Sequence, residues 1–202
     1  MKTLSLLASL VLSLPVSAFS APARLPDLLS PADAEALQAI RAAAQRWTSI
    51  YLQADCWGGS SCRVTENNLR INLHGYRSGW GSLNFNGSAG NESVNFHADP
   101  SDGRDPRNGY WITGSQTNVR LSPSGNSYWL TGNIGRRSVS ITFNRFGSGW
   151  SMYGQSGLNL NLSGFNQTIN ASGNVDLDQF GPAELAAFGA VLSVLASLPA
   201  AN

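Results

Sequence analysis

Charge is scarce in this chain of 202 residues: Asp, Glu, Lys and Arg make up 12% of it, 13 basic side chains against 12 acidic ones. Lys2 is the only lysine, which leaves twelve arginines facing twelve acids in the rest of the chain. A nucleic acid held by bulk charge needs a strongly basic surface, so this balance argues against such a partner. Cysteine is nearly absent too. Cys56 and Cys62 are the only two, too few for a structural zinc site. The chain also lacks a Gly-x-Ser-x-Gly elbow, a phosphate-binding glycine loop, His-Glu-x-x-His and Cys-x-x-Cys, so the common catalytic and redox signatures are missing. No residue stands out as catalytic, as a metal ligand or as a cofactor contact.

An apolar run opens the chain. Lys2, the run Leu4 to Leu14 and the small residues Ser17, Ala18 and Ser20 have the three-part layout of a secretory signal peptide over residues 1–20, with cleavage after Ala18 or Ser20. The run is too short to span a bilayer, and no later charge-free stretch is long enough to replace it, so no stable membrane span is expected after signal removal. Residues 21–202 then form a single β-rich domain, secreted or periplasmic. In such a compartment Cys56 and Cys62 are expected to form a disulfide, and Gly58 and Gly59 let the short loop between them close.

What is present changes its period along the chain. Ser30-Pro31-Ala32-Asp33 is a helix start, and Leu37, Ile40, Ala44, Trp47 and Tyr51 recur at helical spacing, which predicts an amphipathic helix over 31–53. Between 68 and 178 the period becomes two. Gly, Ser, Asn and Pro turns divide that stretch into about eight to ten strands, joined by links so short that they imply an antiparallel meander. Tyr110-Trp111-Ile112-Thr113-Gly114 recurs as Tyr128-Trp129-Leu130-Thr131-Gly132, a weak internal similarity. Gly181-Pro182-Ala183-Glu184 opens a last helix over 182–198 that has almost no polar face and should therefore be covered on most sides. The expected fold is mainly β: a curled antiparallel meander sheet or open barrel, with the C-terminal helix packed on or inside it.

The strands carry an unusual choice of polar residue. Ile71-Asn72-Leu73-His74, Leu83-Asn84-Phe85-Asn86, Val94-Asn95-Phe96-His97 and Leu158-Asn159-Leu160-Asn161 alternate apolar and amide or imidazole side chains, although Asn is disfavoured in strands. If Tyr110 and Ile112 face inward, Trp111 and Thr113 face outward, and Trp129 and Thr131 do the same. Flat indoles among amides and arginines suit sugar rings, since the faces stack and Asn or Arg bonds the hydroxyls; the structural alternative places these indoles in the core or under the N-terminal helix. The candidate ligand-binding set is Trp111, Trp129, Thr113, Thr131, Asn72, Asn84 and Asn95. His74 and His97 are expected on one face but roughly 10 Å apart, too far for one metal with bonds of about 2 Å. Asp99, Asp102 and Asp105 lie in a turn-rich stretch, where Asx turns are the first expectation.

The leading expectation is a non-catalytic protein of the cell envelope or exterior that binds a polar polymer such as a glycan through its Asn and Trp face. A carrier of lipid or another apolar ligand, closed by the C-terminal helix, is the second reading. An enzyme is the third. A large apolar cavity would favour the carrier, an exposed Trp surface on a solid core the binder, and clustered carboxylates in a cleft the enzyme.

Overall fold

The computed structural model describes residues 35–36 and 47–198, apart from 59, 80, 104, 148 and 166. The chain divides into two compact units, Met1–Ala44 and Gln45–Asn202. In the first, Glu35 and Ala36 are helical. The expected signal peptide and most of the expected helix over 31–53 lie outside the described residues.

Twelve antiparallel strands build the second unit: β1 (Trp47–Trp57), β2 (Ser61–Glu66), β3 (Ile71–Ser78), β4 (Ser82–Ala89), β5 (Glu92–Pro100), β6 (Tyr110–Gly114), β7 (Thr117–Ser124), β8 (Ser127–Ile134), β9 (Arg137–Phe146), β10 (Gly149–Tyr153), β11 (Leu158–Phe165) and β12 (Thr168–Asp176). One helix, α1 (Pro182–Ser197), follows. The sheet order runs from β10 down to β1 and then through β12 to β11. Its two ends, β10 and β11, come side by side, so the sheet is a nearly closed barrel with one unpaired seam. Every chain-adjacent pair is a hairpin except β10 to β11, which is why alternation and turn residues suffice to locate β3 to β12.

The expected helix over 31–53 is corrected at its C-terminal end. Residues 47–53 belong to β1, which pairs with β12 on one side and β2 on the other. Ile50, Leu52, Ala54 and Cys56 all point into the core, a period of two. Trp47 and Tyr51, which suggested a helical stripe, are instead exposed on the outer face. With two ladders available, the segment satisfies its backbone through neighbours on both sides, and tertiary pairing overrides the local spacing.

The apolar members of the alternating strands face inward. Leu73, Phe85, Phe96, Ile112, Leu121, Leu130, Ile141 and Phe143 are all buried. Twelve strands enclose more width than facing side chains alone fill, and a helix about 10 Å across occupies the difference. All of α1 from Leu185 to Ala196 is buried, so it has no wet face. It enters near the turns that hold Gly90 and Gly135, where Pro182 and Glu184 lie, and runs about 24 Å toward the opposite end. Its small residues set its position. Gly189 abuts Val64 of β2, and the Ser193 carbonyl lies 3.3 Å from Cys56 Sγ. Bulkier Phe188 reaches across to Phe143 of β9, with ring centroids 6.1 Å apart.

Curvature comes from one repeated device. Gly132 has φ +132°, and a Cβ there would sit 2.3 Å from the Asn118 carbonyl oxygen on the next strand. Gly87, Gly114 and Gly173 meet the carbonyls of Asn72, Asn95 and Asn159 in the same way. Only glycine permits so close a crossing, and kinks at such positions coil a sheet toward closure.

Candidate functional site

Register decides which outward side chains meet. Tyr76, Asn84, His97, Thr113, Asn118 and Asn133 are successive cross-strand partners from β3 to β8, one polar row around the outer face. The row beside it reads Ser82, Asp99, Trp111, Arg120 and Thr131 from β4 to β8. Cross-strand partners stand close enough for their side chains to touch, so each row is a continuous band of donors and acceptors.

The two rows are knitted at β4 and β5. Ser82 Oγ donates to Asp99 Oδ1 at 2.6 Å, the Asp99 carboxylate pairs with His97 Nε2 at 2.9 Å, and Asn84 Nδ2 donates to Ser78 Oγ at 2.6 Å. His97 Nδ1 bonds the Asn84 amide oxygen. Ser, His and Asp are therefore all present, but the hydroxyl contacts the carboxylate and not the imidazole. Activation of a serine nucleophile requires a hydrogen bond from hydroxyl to base, so this order of contacts does not supply it.

Trp111 lies at the centre of the second row. Its indole is 43% exposed, and the Arg120 guanidinium sits 5.6 Å from the ring centroid. A cation over a ring holds both flat groups in place. Of the other expected residues, Thr113, Thr131, Asn72 and Asn95 are exposed on the same outer face, and Asn84 is half-buried within the network. Trp129 is 55% exposed in a further row with Ser122, Thr142 and Tyr153. Thr131, not Trp129, is in line with Trp111, so the two indoles are offset by two residues as well as two strands, about 12 Å between their backbone positions. Asn95 and Asn72 lie one and two rows from Asn84, and their carbonyls also serve the glycine crossings. His74 opposes Asn86 and His97 opposes Asn84, so the two imidazoles are likewise in different rows.

The carboxylates of the loop after β5 hold the chain in shape. Asp102 accepts from the Asp105 amide at 2.7 Å and from Asn108 Nδ2 at 2.6 Å, while Asp105 accepts from the Arg107 amide at 2.9 Å. These are the expected Asx turns. Among the described residues, no three His, Cys, Asp or Glu side chains group as a metal site would require. A separate open hollow of about 640 Å³ lies at the α1 N-terminus, lined by Asn91, Glu92, Gln116 and Glu184 among others.

Two phenols just inside the outer face are held neutral. Burial pushes the Tyr110 hydroxyl above its ordinary range, against the opposing pull of Arg77, and burial does the same for Tyr128 against Arg145. Tyr110 donates to the Gly81 carbonyl at 3.2 Å.

Arg120, Asp99, Ser82 and Tyr76 were absent from the residue set expected from the sequence. Their signal is register, which a sequence without pairing partners does not contain. Exposed Trp57, Phe146 and Phe165 were also missed, though each directly precedes a Gly or Asn turn and was findable on that ground. Among the described residues no helix is long and apolar enough to cross a membrane. No protein-family model, curated protein or solved structure matches this chain.

Proposed function

We propose that this protein is a non-catalytic binder of a polar polymer, a glycan, which lies along the outer face of β4 to β8. The observation that carries the reading is Trp111: an exposed indole steadied by Arg120 and bordered by Asp99, Thr113, Thr131 and the amides of Asn118 and Asn133. Sugar rings offer an apolar face to an indole and hydroxyls at their edges to amides, carboxylates and guanidinium groups. Trp129, about 12 Å away, gives an extended chain a second stacking platform. Export to an oxidising compartment fits the Cys56–Cys62 disulfide and is part of the same proposal.

The test is polysaccharide pull-down with the Trp111→Ala/Trp129→Ala double variant. Both indoles are exposed, so the variant should fold with a nearly unchanged melting temperature and lose retention on the polysaccharide. Undiminished retention by a folded double variant rejects the site. A carrier function has one observation in its favour, the unpaired seam between β10 and β11 beside an apolar interior, and native mass spectrometry that finds co-purified lipid would favour it instead.

A further inference from the structure

Single exposed apolar side chains are ordinary on any protein surface, but neighbouring ones at one end of a barrel are not. Trp57 is 55% exposed, Phe146 66% and Phe165 70%. Each ends a strand at a hairpin: β1 to β2, β9 to β10 and β11 to β12. Turns of an antiparallel meander alternate between the two ends, so these three hairpins share one rim. They are also consecutive around the barrel, because β12 joins β1 to β11 and β10 lies against β11 across the seam. Tyr76, 52% exposed, extends the set through the row Trp57, Ser61, Tyr76.

Three arginines lie near these tips. Arg145 precedes Phe146, Arg77 follows Tyr76, and exposed Arg63 lies two residues below Ser61. Asp55 accepts from Gln53 at 2.7 Å and Thr168 at 2.7 Å and stands opposite Arg63 in the β1–β2 ladder. The acids of the loop after β5, Asp102 and Asp105, lie on the same rim two strands from β3, and Asp105 and Arg77 both act on the Tyr110 hydroxyl. Aromatic tips with arginines one layer beneath them match the depth order of a bilayer surface, in which acyl chains lie under a plane of phosphates.

We propose that this rim docks the protein on an anionic lipid bilayer, with Trp57, Phe146 and Phe165 inserted at the headgroup boundary and Arg63, Arg77 and Arg145 beside lipid phosphates. The surface is distinct from the Trp111 face and does not depend on the glycan reading. Vesicle co-sedimentation of the full chain tests it. Vesicles of equal parts phosphatidylcholine and phosphatidylglycerol should retain the protein, and Trp57→Ser/Phe146→Ser/Phe165→Ser should weaken retention about tenfold or more with an unchanged melting temperature. If the change at Trp57 disturbs the disulfide hairpin, Phe146→Ser/Phe165→Ser alone must still weaken retention. Failure of the native protein to bind these vesicles overturns the proposal, as does full retention of the folded variants. So does a lipid-free dimer that the same substitutions dissociate, since the rim would then cover a second copy of this chain.

Discussion

Gly189 of α1 and Val64 of β2 stand so close that a Cβ on the glycine would lie 2.4 Å from Val64 Cγ1. Contact at that distance means the helix backbone rests directly on the sheet. Val64 has a stiff, β-branched side chain and cannot swing away cheaply. Replacement of a helical glycine normally gains up to about 1 kcal/mol, while overpacking costs about 1–3 kcal/mol. Gly189→Ala should therefore lower stability in urea unfolding, and Val64→Ala in the same chain should recover part of the loss. Additive losses in that double-mutant cycle would show that the two residues are not coupled.

Gly132 should tolerate no side chain. Its positive φ and the Asn118 carbonyl at 2.3 Å from a virtual Cβ combine strain with a backbone clash. Gly132→Ala is expected to cost about 1–3 kcal/mol, and more if the sheet cannot open there. Chemical denaturation measures the loss. A neutral result would mean that curvature at this crossing is dispensable.

Cys56 and Cys62 face each other across the β1–β2 hairpin, with Cα atoms 4.0 Å apart and their sulfurs bonded. Labelling of the unfolded, unreduced protein should find no free thiol. The loop is short, so the chain-entropy model assigns the bond about 2 kcal/mol. Reduction should lower the melting temperature by a few degrees without abolishing the fold, because ladders flank the hairpin on both sides.

Alkali should act through Tyr110 and Tyr128. Their folded-state pKa values are raised above the unfolded 10.0, with burial as the largest cause. A raised value means that the folded protein keeps protons the unfolded chain gives up, so the stability linked to them is full below pH 10 and falls as pH climbs through the folded values. Urea midpoints measured from pH 9 upward should decline. The decline should be shallower in Tyr110→Phe, and an equal slope in that variant would remove Tyr110 as a source.

Ten of the twelve strands were legible because each alternates clearly and ends at a Gly, Asn or Ser turn. β1 and β2 were not. In β1, Trp47 and Tyr51 happen to fall at helical spacing, and the ladder that overrides this comes from β12, more than a hundred residues away. β2 is six residues long and starts beside the disulfide loop, so its pattern was too short to separate from the loop.

That Trp111 shares a face with Thr113 and Trp129 with Thr131, the disulfide and the fully covered C-terminal helix were determined by the sequence alone, because period, spacing and the lack of a polar face are local properties; that this face is the wet one was shown by the exposure of both indoles. Which of the outward residues stand side by side was decided only by the tertiary structure. Trp111 meets Arg120, His97 meets Asn84 and Asp99, and Trp129 falls out of line with Trp111, because the register of each ladder sets those meetings. Register depends on the turns, the glycine crossings and the packing of the inner face on α1, and none of these acts within a single strand.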